Sequence, residues 1–402
     1  MRILLCGVDG YIGYPLAQNL LLRGHTVIGV DNLSRRVNVT SMGSQSAIPI
    51  SSVFERTKAL QKLGDYQFRY LDIAAMPEKL AECIRSFRPE AIVNLAQQPS
   101  AAFSMSNLKN ASWTVQNNVL GALNLLWCMR EYVPDSHLVT LGTMGEYGCP
   151  NLPIPEGFFK VTYRGMTDIL PFPRQTNSVY HTSKVQTSDL AWFAARVWEL
   201  RITDVMQGIV YGTRTDTMTE DVYRTRFDID ECFGTMINRA TACAVIEHPI
   251  LVYGSGLQTR AYIQLRDSIK CLTMMTENHP TDSDSIHGYR VVNQFDESYS
   301  CREVAEIVRD VAGALGYDVE IEHVPNPRIE PEVHFYEPEH EKLYNMGWKP
   351  TVTIREGVRE MIEDLSVYRE RIEKLKDVLR PKIVWRPKHT AVKGGDETGR
   401  KG

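Results

Sequence analysis

The 402-residue chain lacks any hydrophobic run approaching the ~20 apolar residues that a membrane-spanning helix needs. Its first residues, Met1-Arg2-Ile3-Leu4-Leu5-Cys6, are too short for the apolar core of a secretory leader and pass directly into a glycine turn, so a cytosolic location is expected. Clustered metal ligands are missing as well. The eight cysteines are scattered without a CxxC pair and the histidines are not grouped, which argues against a structural metal and against a disulfide framework. Cys6 and Cys128 sit in apolar runs and read as buried, reduced thiols. Charge of one sign is also lacking: 45 Lys and Arg against 49 Asp and Glu give a net charge of -4, no footprint for nucleic acid or an anionic membrane. No internal repeat is present.

What the chain does have is an alternation of short apolar runs with helical patterns. Residues 2–8 read as a buried strand ended by glycine, 14–22 as a helix, and 26–30 as a second strand ending in Asp31. Residues 68–71, 91–95, 138–141 and 202–206 repeat the strand signal, while 76–87, 113–132 and 178–200 read as helices. This order predicts a doubly wound α/β fold, a parallel sheet with helices on both faces. Residues 33–66 break the pattern and read as an insertion. Beyond Tyr211-Gly212 the alternation weakens, so 213–262 and 295–385 are expected to form a smaller, more irregular substrate-binding domain. Residues 1–212 and 263–294 would then form the nucleotide-binding domain. Residues 386–402 end in a stretch with nothing apolar to bury and are expected to be a disordered tail.

Gly7-Val8-Asp9-Gly10-Tyr11-Ile12-Gly13 is a GxxGxxG loop between the first strand and the first helix. Glycines there allow a tight turn and close approach of backbone to a pyrophosphate, which the helix N-terminus then faces. Asp31, 18 positions after Gly13, can accept hydrogen bonds from ribose hydroxyls and would repel a 2′-phosphate, which favours NAD over NADP. The run continues Asn32-Leu33-Ser34-Arg35-Arg36. Its arginines could hold a 2′-phosphate, stack on adenine, or simply form a solvated basic turn; with Asp31 present, NAD remains the expectation. Asp72-Ile73, at a strand end, is a candidate adenine contact. Asn118 could support the catalytic region from its helix or merely pack there.

Tyr180 and Lys184 in Tyr180-His181-Thr182-Ser183-Lys184 lie one helical turn apart on one face. Lys184 can bind the nicotinamide ribose, and its charge, with that of the oxidised ring, would lower the tyrosine pKa. Tyrosinate can then take a hydroxyl proton as hydride leaves. Thr143, in Gly142-Thr143-Met144-Gly145-Glu146-Tyr147-Gly148, ends the preceding strand.

Together these motifs resemble the extended short-chain dehydrogenase/reductase family of nucleotide-sugar enzymes, over about residues 1–385. The resemblance implies a Rossmann-like fold, NAD as cofactor and a UDP-sugar as substrate. Val252-Tyr253-Gly254-Ser255-Gly256-Leu257-Gln258-Thr259-Arg260 resembles the segment whose arginine grips the sugar nucleotide's diphosphate, although Arg260 could instead form a structural ion pair. Gln207 matches the substrate-facing position just after the sixth strand, and Val210, three positions on, is a candidate cofactor contact. The 4,6-dehydratases of the family carry Thr-Asp-Glu, an acid and a base, where this chain reads Thr143-Met144-Gly145. An ordinary dehydratase is therefore not expected, and a 4-epimerase, which needs only Thr or Ser with Tyr, remains open.

The Thr143–Gly148 segment, Tyr180–Lys184, Asp31–Arg36 and Asn326-Pro327-Arg328 resemble a narrower subgroup. That resemblance implies a cycle on UDP-glucose: carbon-4 oxidation, loss of water across carbons 5 and 6, sulfite addition at carbon 6, and return of the hydride. It implies that Thr143 orients the carbon-4 oxygen, that Arg260 and Arg328 hold the diphosphate and that Glu332 meets a ribose. For elimination, Glu146 and His181 are the candidates; Glu146 could instead bond loop amides, and His181 could merely line the pocket. Plant members of the subgroup carry an arginine where this chain has Pro99 in Gln97-Gln98-Pro99-Ser100, so sulfite would be met by other groups. The two long helices carry Trp113, Leu123, Trp127, Leu190, Trp192, Phe193 and Trp198, and in the family such helices pair into a homodimer bundle. Burial of both faces within one chain is the alternative. A member that senses NAD and binds a protein partner without catalysis is the alternative of another class; the presence of both Tyr180 and Lys184 speaks against it.

Overall fold

The strand–helix alternation becomes seven parallel strands in one sheet in the computed structural model, which describes residues 1–331, 333 and 335–385. β1 (Arg2–Cys6) turns through the glycine loop into α1 (Gly13–Leu22), and β2 (Thr26–Asp31) follows. α2 (Ser34–Ser41) and α3 (Val53–Leu63) lead to β3 (Tyr66–Tyr70), and α4 (Pro77–Phe87) leads to β4 (Ala91–Asn94). Then come α5 (Ala101–Ser104), α6 (Leu108–Val115) and α7 (Gly121–Tyr132), the last two joined by a π-helical turn at Gln116–Leu120. β5 (His137–Thr143), the hairpin β6 (Phe158–Tyr163) and β7 (Met166–Pro171), α8 (Val179–Trp198) and β8 (Arg201–Gln207) complete the first stretch.

β9 (Ile209–Tyr211), α9 (Met236–Val245), β10 (Ile250–Tyr253) and β11 (Thr259–Gln264) then build a second lobe. α10 (Leu265–Glu277) and β12 (Tyr289–Gln294) return to the large sheet. β13 (Glu297–Ser300), α11 (Cys301–Ala314), β14 (Ile321–Val324), α12 (Glu341–Asn345) and α13 (Ile354–Ser366) follow.

The strand order is β3-β2-β1-β4-β5-β8-β12, every pair parallel. The order reverses between β1 and β4, which opens a crevice at the carboxyl ends of the strands. Both faces are buried, so successive side chains feed opposite cores. Ile3 and Leu5 join the cluster around α1 and α10, whereas Leu4 and Cys6 join the cluster around α4, α7 and α8. β4 splits in the same way, Ala91 and Val93 to one side and Ile92 to the other. Each fully buried Ile, Leu or Val among them contributes about 1.5–3 kcal/mol.

Three local expectations need correcting. Residues 33–66 are not an irregular insertion: α3, opened by a capping box between Ser52 and Glu55, is the crossover helix between β2 and β3. The second lobe is not irregular either. α9, α11 and α13 pack against one another through Ile237, Val304, Val308, Val358, Ile362 and Leu365. α11 and α13 each start with a capping box, Ser300 with Glu303 and Thr353 with Glu356. The helix expected at 113–132 begins at Leu108 and carries the π turn. The expected tail, 386–402, lies outside the described residues.

Leu365, fully buried in the second lobe, should cost about 2–5 kcal/mol when replaced by Ala, and Thr353→Ala should cost about 1 kcal/mol. Chemical denaturation of the two variants checks the ranking.

Candidate functional site

One continuous cavity runs along the carboxyl ends of β1, β2, β4 and β5 and on into the cleft against the second lobe. Its first half is built on the glycine loop. Gly7 has φ +85°, and a Cβ there would lie 2.6 Å from the Leu95 carbonyl carbon; a Cβ on Gly13 would lie 2.1 Å from the Gly7 oxygen. Only glycine lets the loop turn this tightly against β4 and α1. α1 begins without a side-chain cap; the Tyr14 N–H donates to the Gly10 carbonyl and Pro15 has none, so in the first turn it is the Gly13 amide that is left to face an anion. Gly10, Tyr11 and Ile12 line the cavity with it.

Asp31, at the end of β2, lines the same cavity and accepts from the backbone N–H groups of Asp9 (2.9 Å) and Leu33 (2.7 Å). Burial, then the charge of Asp9, pushes its carboxyl up to about 6. Each oxygen retains a lone pair for a ribose hydroxyl. Asn32 and Ser34 also line the cavity; the Asn32 amide donates to Asp72, whose other oxygen accepts from the Ala74 and Ala75 amides. Asp72 and Ile73 thereby border this end of the cavity.

The two arginines are committed elsewhere. Arg35 pairs with Asp228 at 2.8 Å and lies 4.0 Å over the Phe233 ring, with part of its side chain on the cavity. Arg36 forks onto Asp9 at 2.6 and 2.8 Å and is not on the cavity wall, which corrects its expected place among the cofactor contacts. Neither is left over for a 2′-phosphate.

A strap missed in the sequence covers this region. The Tyr11 hydroxyl donates to the Gly212 carbonyl, the Tyr14 hydroxyl to Val222, the Gln18 amide to Tyr223 and the Arg56 guanidinium to Arg224, while Thr225 donates back to the Tyr11 carbonyl. The same segment continues to Cys232, Phe233 and Gly234, which line the cavity. Backbone carbonyls are its main handles, so residue type gave no signal.

The second half of the cavity gathers Thr143 from the end of β5 with Tyr180, His181 and Lys184 from the first turns of α8. Ser178 caps α8 by accepting from the His181 N–H, and the Tyr180 N–H donates to Ser104. Lys184 is buried and donates to the Gln97 side-chain oxygen and the Leu141 carbonyl. Burial holds its ammonium down to about 8, against the opposing charges of Glu146 and Asp204. Tyr180 differs from expectation. Burial and the Glu146 charge hold its hydroxyl above the usual range, and the group that works the other way is the Thr143 hydroxyl.

Asn118 is fully buried and off the cavity wall, so it is not a direct cofactor contact. The π turn aims it at the loop after β4, where it accepts from the Gln98 N–H (2.7 Å) and donates to the Gln98 carbonyl (3.1 Å) and Ser183 (3.0 Å). It thereby fixes the loop that carries Gln97 to Lys184.

Glu146 is also absent from the wall. It is fully buried, with one oxygen accepting from the Thr143 N–H at 3.1 Å and the other from Arg174 at 2.8 Å. The carboxylate folds back as the capping residue of its own turn instead of facing a ligand. His181 does reach the cavity. A Cβ on Gly145 would stand 2.4 Å from His181 Nε2, so the imidazole fills the space a longer side chain at 145 would take. Nδ1 lies 2.8 Å from Ser178 Oγ, which already accepts from the His181 amide; donation from Nδ1–H leaves Nε2 as the acceptor. Burial, aided by Arg328, Arg260 and Lys184, lowers the imidazole to about 3, so it is neutral at ordinary pH.

At the far end, Gln207 and Val210 line the cavity, and the Gln207 amide donates to Gln294 at 2.9 Å. Arg260 is paired with Glu330, a partner the sequence did not announce. Arg328 packs over the Tyr253 and Trp385 rings without an ion pair among the described residues. Arg239, also unforeseen, lines the cavity and donates to the Tyr253 hydroxyl. Pro99 is on the wall as well. Glu332 lies outside the described residues.

Residues 3–287 match the model of the NAD dependent epimerase/dehydratase family. The chain is 42% identical over 389 residues to the UDP-sulfoquinovose synthase of Sulfolobus acidocaldarius, covering 96% of this chain and 98% of that one. It is 39% identical to the chloroplastic UDP-sulfoquinovose synthase of Spinacia oleracea, over 96% of this chain and 79% of that one. Among solved structures, the UDP-glucose 4-epimerase of Thermotoga maritima with UDP-glucose superposes with a TM-score of 0.67 at 21% identity, covering 90% of this chain and 98% of that one. The Thermus thermophilus UDP-glucose 4-epimerase complexed with NAD gives 0.64 at 23% identity, over 91% and 99%. At these identities the two structures speak for the fold alone.

Asp31→Ala should weaken NAD binding roughly tenfold or more, the effect of losing a hydrogen bond to a charged group. In the unaltered protein NAD affinity should fall as the pH drops below about 6 and Asp31 takes up its proton; in the variant that fall should vanish. Calorimetric titration across pH checks both.

Proposed function

The chain belongs to the NAD dependent epimerase/dehydratase family, and from that membership and its UDP-sulfoquinovose synthase relatives we propose that it converts UDP-glucose and sulfite to UDP-sulfoquinovose. One observation carries the reading beyond family membership. Thr143, Tyr180 and Lys184 converge on one cavity, while the position of the dehydratase base is Gly145 and the His181 imidazole occupies the adjoining space. An epimerase has no need of a base at carbon 5.

Bound NAD would supply reversible storage for the carbon-4 hydride. Lys184 would hold the nicotinamide ribose, Thr143 would orient the carbon-4 oxygen, and Tyr180 would take its proton. The resulting ketone acidifies the carbon-5 proton. His181 Nε2, a neutral acceptor over the working pH range, would take that proton and deliver it to the departing carbon-6 hydroxyl. Elimination leaves a carbon–carbon double bond between carbons 5 and 6 conjugated to the ketone. Sulfite adds at carbon 6, carbon 5 regains a proton, and the hydride and the Tyr180 proton return to carbon 4 and its oxygen. The sum is UDP-glucose plus sulfite plus a proton giving UDP-sulfoquinovose plus water.

Arg328, free of any ion pair among the described residues, would carry the main charge toward the diphosphate. Arg260 would share its own between Glu330 and the phosphates. Glu332 would meet a ribose. We also read the protein as a cytosolic homodimer. Six of its cysteines are buried as free thiols, which suits a reducing compartment. On the α7–α8 face, Trp127, Phe193 and Val197 are exposed beside Leu120, while Trp113 and Trp192 pack inward against Phe103 and Phe158.

Mass spectrometry of the product from UDP-glucose with and without sulfite tests the reaction: a sulfonated UDP-hexose is expected, and UDP-galactose alone would refute it. Tyr180→Phe should still bind NAD and form no sulfonated product. His181→Ala should retain carbon-4 oxidation yet lose carbon-5 proton exchange with deuterated water by a hundredfold or more, the scale of general-base catalysis. Gly145→Ala should do the same by displacing the ring.

A further inference from the structure

Behind the Thr143 turn lies a buried charge cluster of which these reaction steps use only Lys184. Arg174, from the segment between β7 and α8, donates to Glu146 at 2.8 Å, and its side chain is only 10% exposed. Asp204 on β8 is fully buried. One of its oxygens accepts from the Tyr289 hydroxyl at 2.6 Å, and the other has no hydrogen-bond partner among the described residues. Both carboxylates flank Gly142: a Cβ there would lie 2.8 Å from Asp204 and 3.1 Å from Glu146. Lys184 is the second cation of the group. Two buried anions and two buried cations thus surround the end of β5, and an unpaired member of such a set is strongly destabilising.

We propose that Arg174 is a positioning residue for carbon-4 chemistry: by clamping Glu146, it fixes the Thr143–Gly145 turn and hence the contact between Thr143 and Tyr180. The connections are continuous. Arg174 holds one Glu146 oxygen, while the other oxygen accepts from the Thr143 N–H and from Ser188 on α8 at 3.4 Å. The Thr143 hydroxyl in turn accepts from Gly145 and meets Tyr180. This rests on the reading of Thr143 and Tyr180 given above. Neither Arg174 nor Glu146 lines the cavity, so neither is assigned contact with a substrate.

The electrostatics tie the cluster to Lys184, while the Glu146 charge also holds the Tyr180 hydroxyl up. The groups facing Glu146 are Arg174, Asp204 from β8, Lys184 and Tyr180 from α8, its neighbour Tyr147 and Tyr289 from β12; Asp189, 3.9 Å from Arg174, is largely exposed. Burial raises the Glu146 carboxyl, and Arg174 is the largest influence opposing that rise. Without Arg174, Glu146 holds its proton to higher pH and Lys184 loses a counter-anion. The Lys184 ammonium, already lowered by burial, then deprotonates at lower pH.

The test uses the NAD-loaded protein and follows single-turnover hydride transfer from UDP-glucose by nicotinamide absorbance. Arg174→Met should slow the transfer about tenfold or more, leave KM for UDP-glucose unchanged and move the alkaline fall of the rate to lower pH, while Arg174→Lys restores most of the rate. Combining Arg174→Met with Glu146→Gln should cost no more than Glu146→Gln alone, the non-additivity of residues acting through one another. Unaltered rate and pH profile in Arg174→Met, or full additivity, would overturn the proposal. A crystal structure of Arg174→Met decides the point without substrate: a displaced Thr143–Gly145 turn supports it and an unmoved one rejects it. Lack of hydride transfer in the unaltered protein would count against the proposed reaction alone.

Discussion

An ammonium buried at the end of a parallel strand must be surrounded by acceptors, and much of this architecture follows from holding Lys184 there. Its neighbours are a strand carbonyl, Leu141, and a side-chain oxygen, Gln97. Gln97 can serve only if the loop after β4 is rigid. Asn118 provides that rigidity by bonding both the N–H and the carbonyl of Gln98, and the π turn in the helix from Leu108 to Tyr132 turns Asn118 inward. Glycine at 142 lets the carboxylates of Glu146 and Asp204 come close enough to offset the buried charge. A helix irregularity, a glycine and a loop conformation are thus connected through one nitrogen atom.

Much of the fold was legible because its signal is local. The short apolar runs from 2–8 to 202–206 announce strands buried on both faces, and the glycines at 7, 10 and 13 stand where a strand must turn onto a helix. The helices of the second lobe were missed although their N-terminal signatures, Ser300 with Glu303 and Thr353 with Glu356, are written in the chain. Their apolar stripes are broken by charged residues on the opposite face, so a search for continuous apolar runs passes over them.

The site divides in the same way. Residue types on the ends of elements, such as Thr143, Tyr180, Lys184 and Asp31, could be read from spacing. Partners distant in sequence could not: Gln97 for Lys184, Arg174 for Glu146, Glu330 for Arg260. Glu146 is the instructive case. Three residues beyond Thr143 it looks poised beside the reacting carbons, yet a carboxylate three residues after a threonine is also placed to cap the turn, and backbone hydrogen bonding won. His181, anchored by the Ser178 cap of its own helix, points the other way. Solved epimerases near 20% identity share this sheet; the fold supplies the platform, and the turn after β5 decides what is done on it.

The strap from Gly212 to Gly234 is laced to the glycine loop and α1 by main-chain carbonyls and to the rest by buried charge pairs. Its far end, from Glu231 to Thr235, forms part of the cavity wall, so the second lobe reaches the dinucleotide half of the site through this segment. In the proposed cycle the hydride is lent and collected again at carbon 4 of the same molecule. Turnover in that cycle would draw on sugar nucleotide and nucleophile and leave the redox balance of the surrounding pool untouched, which suits a biosynthetic step with no net oxidation.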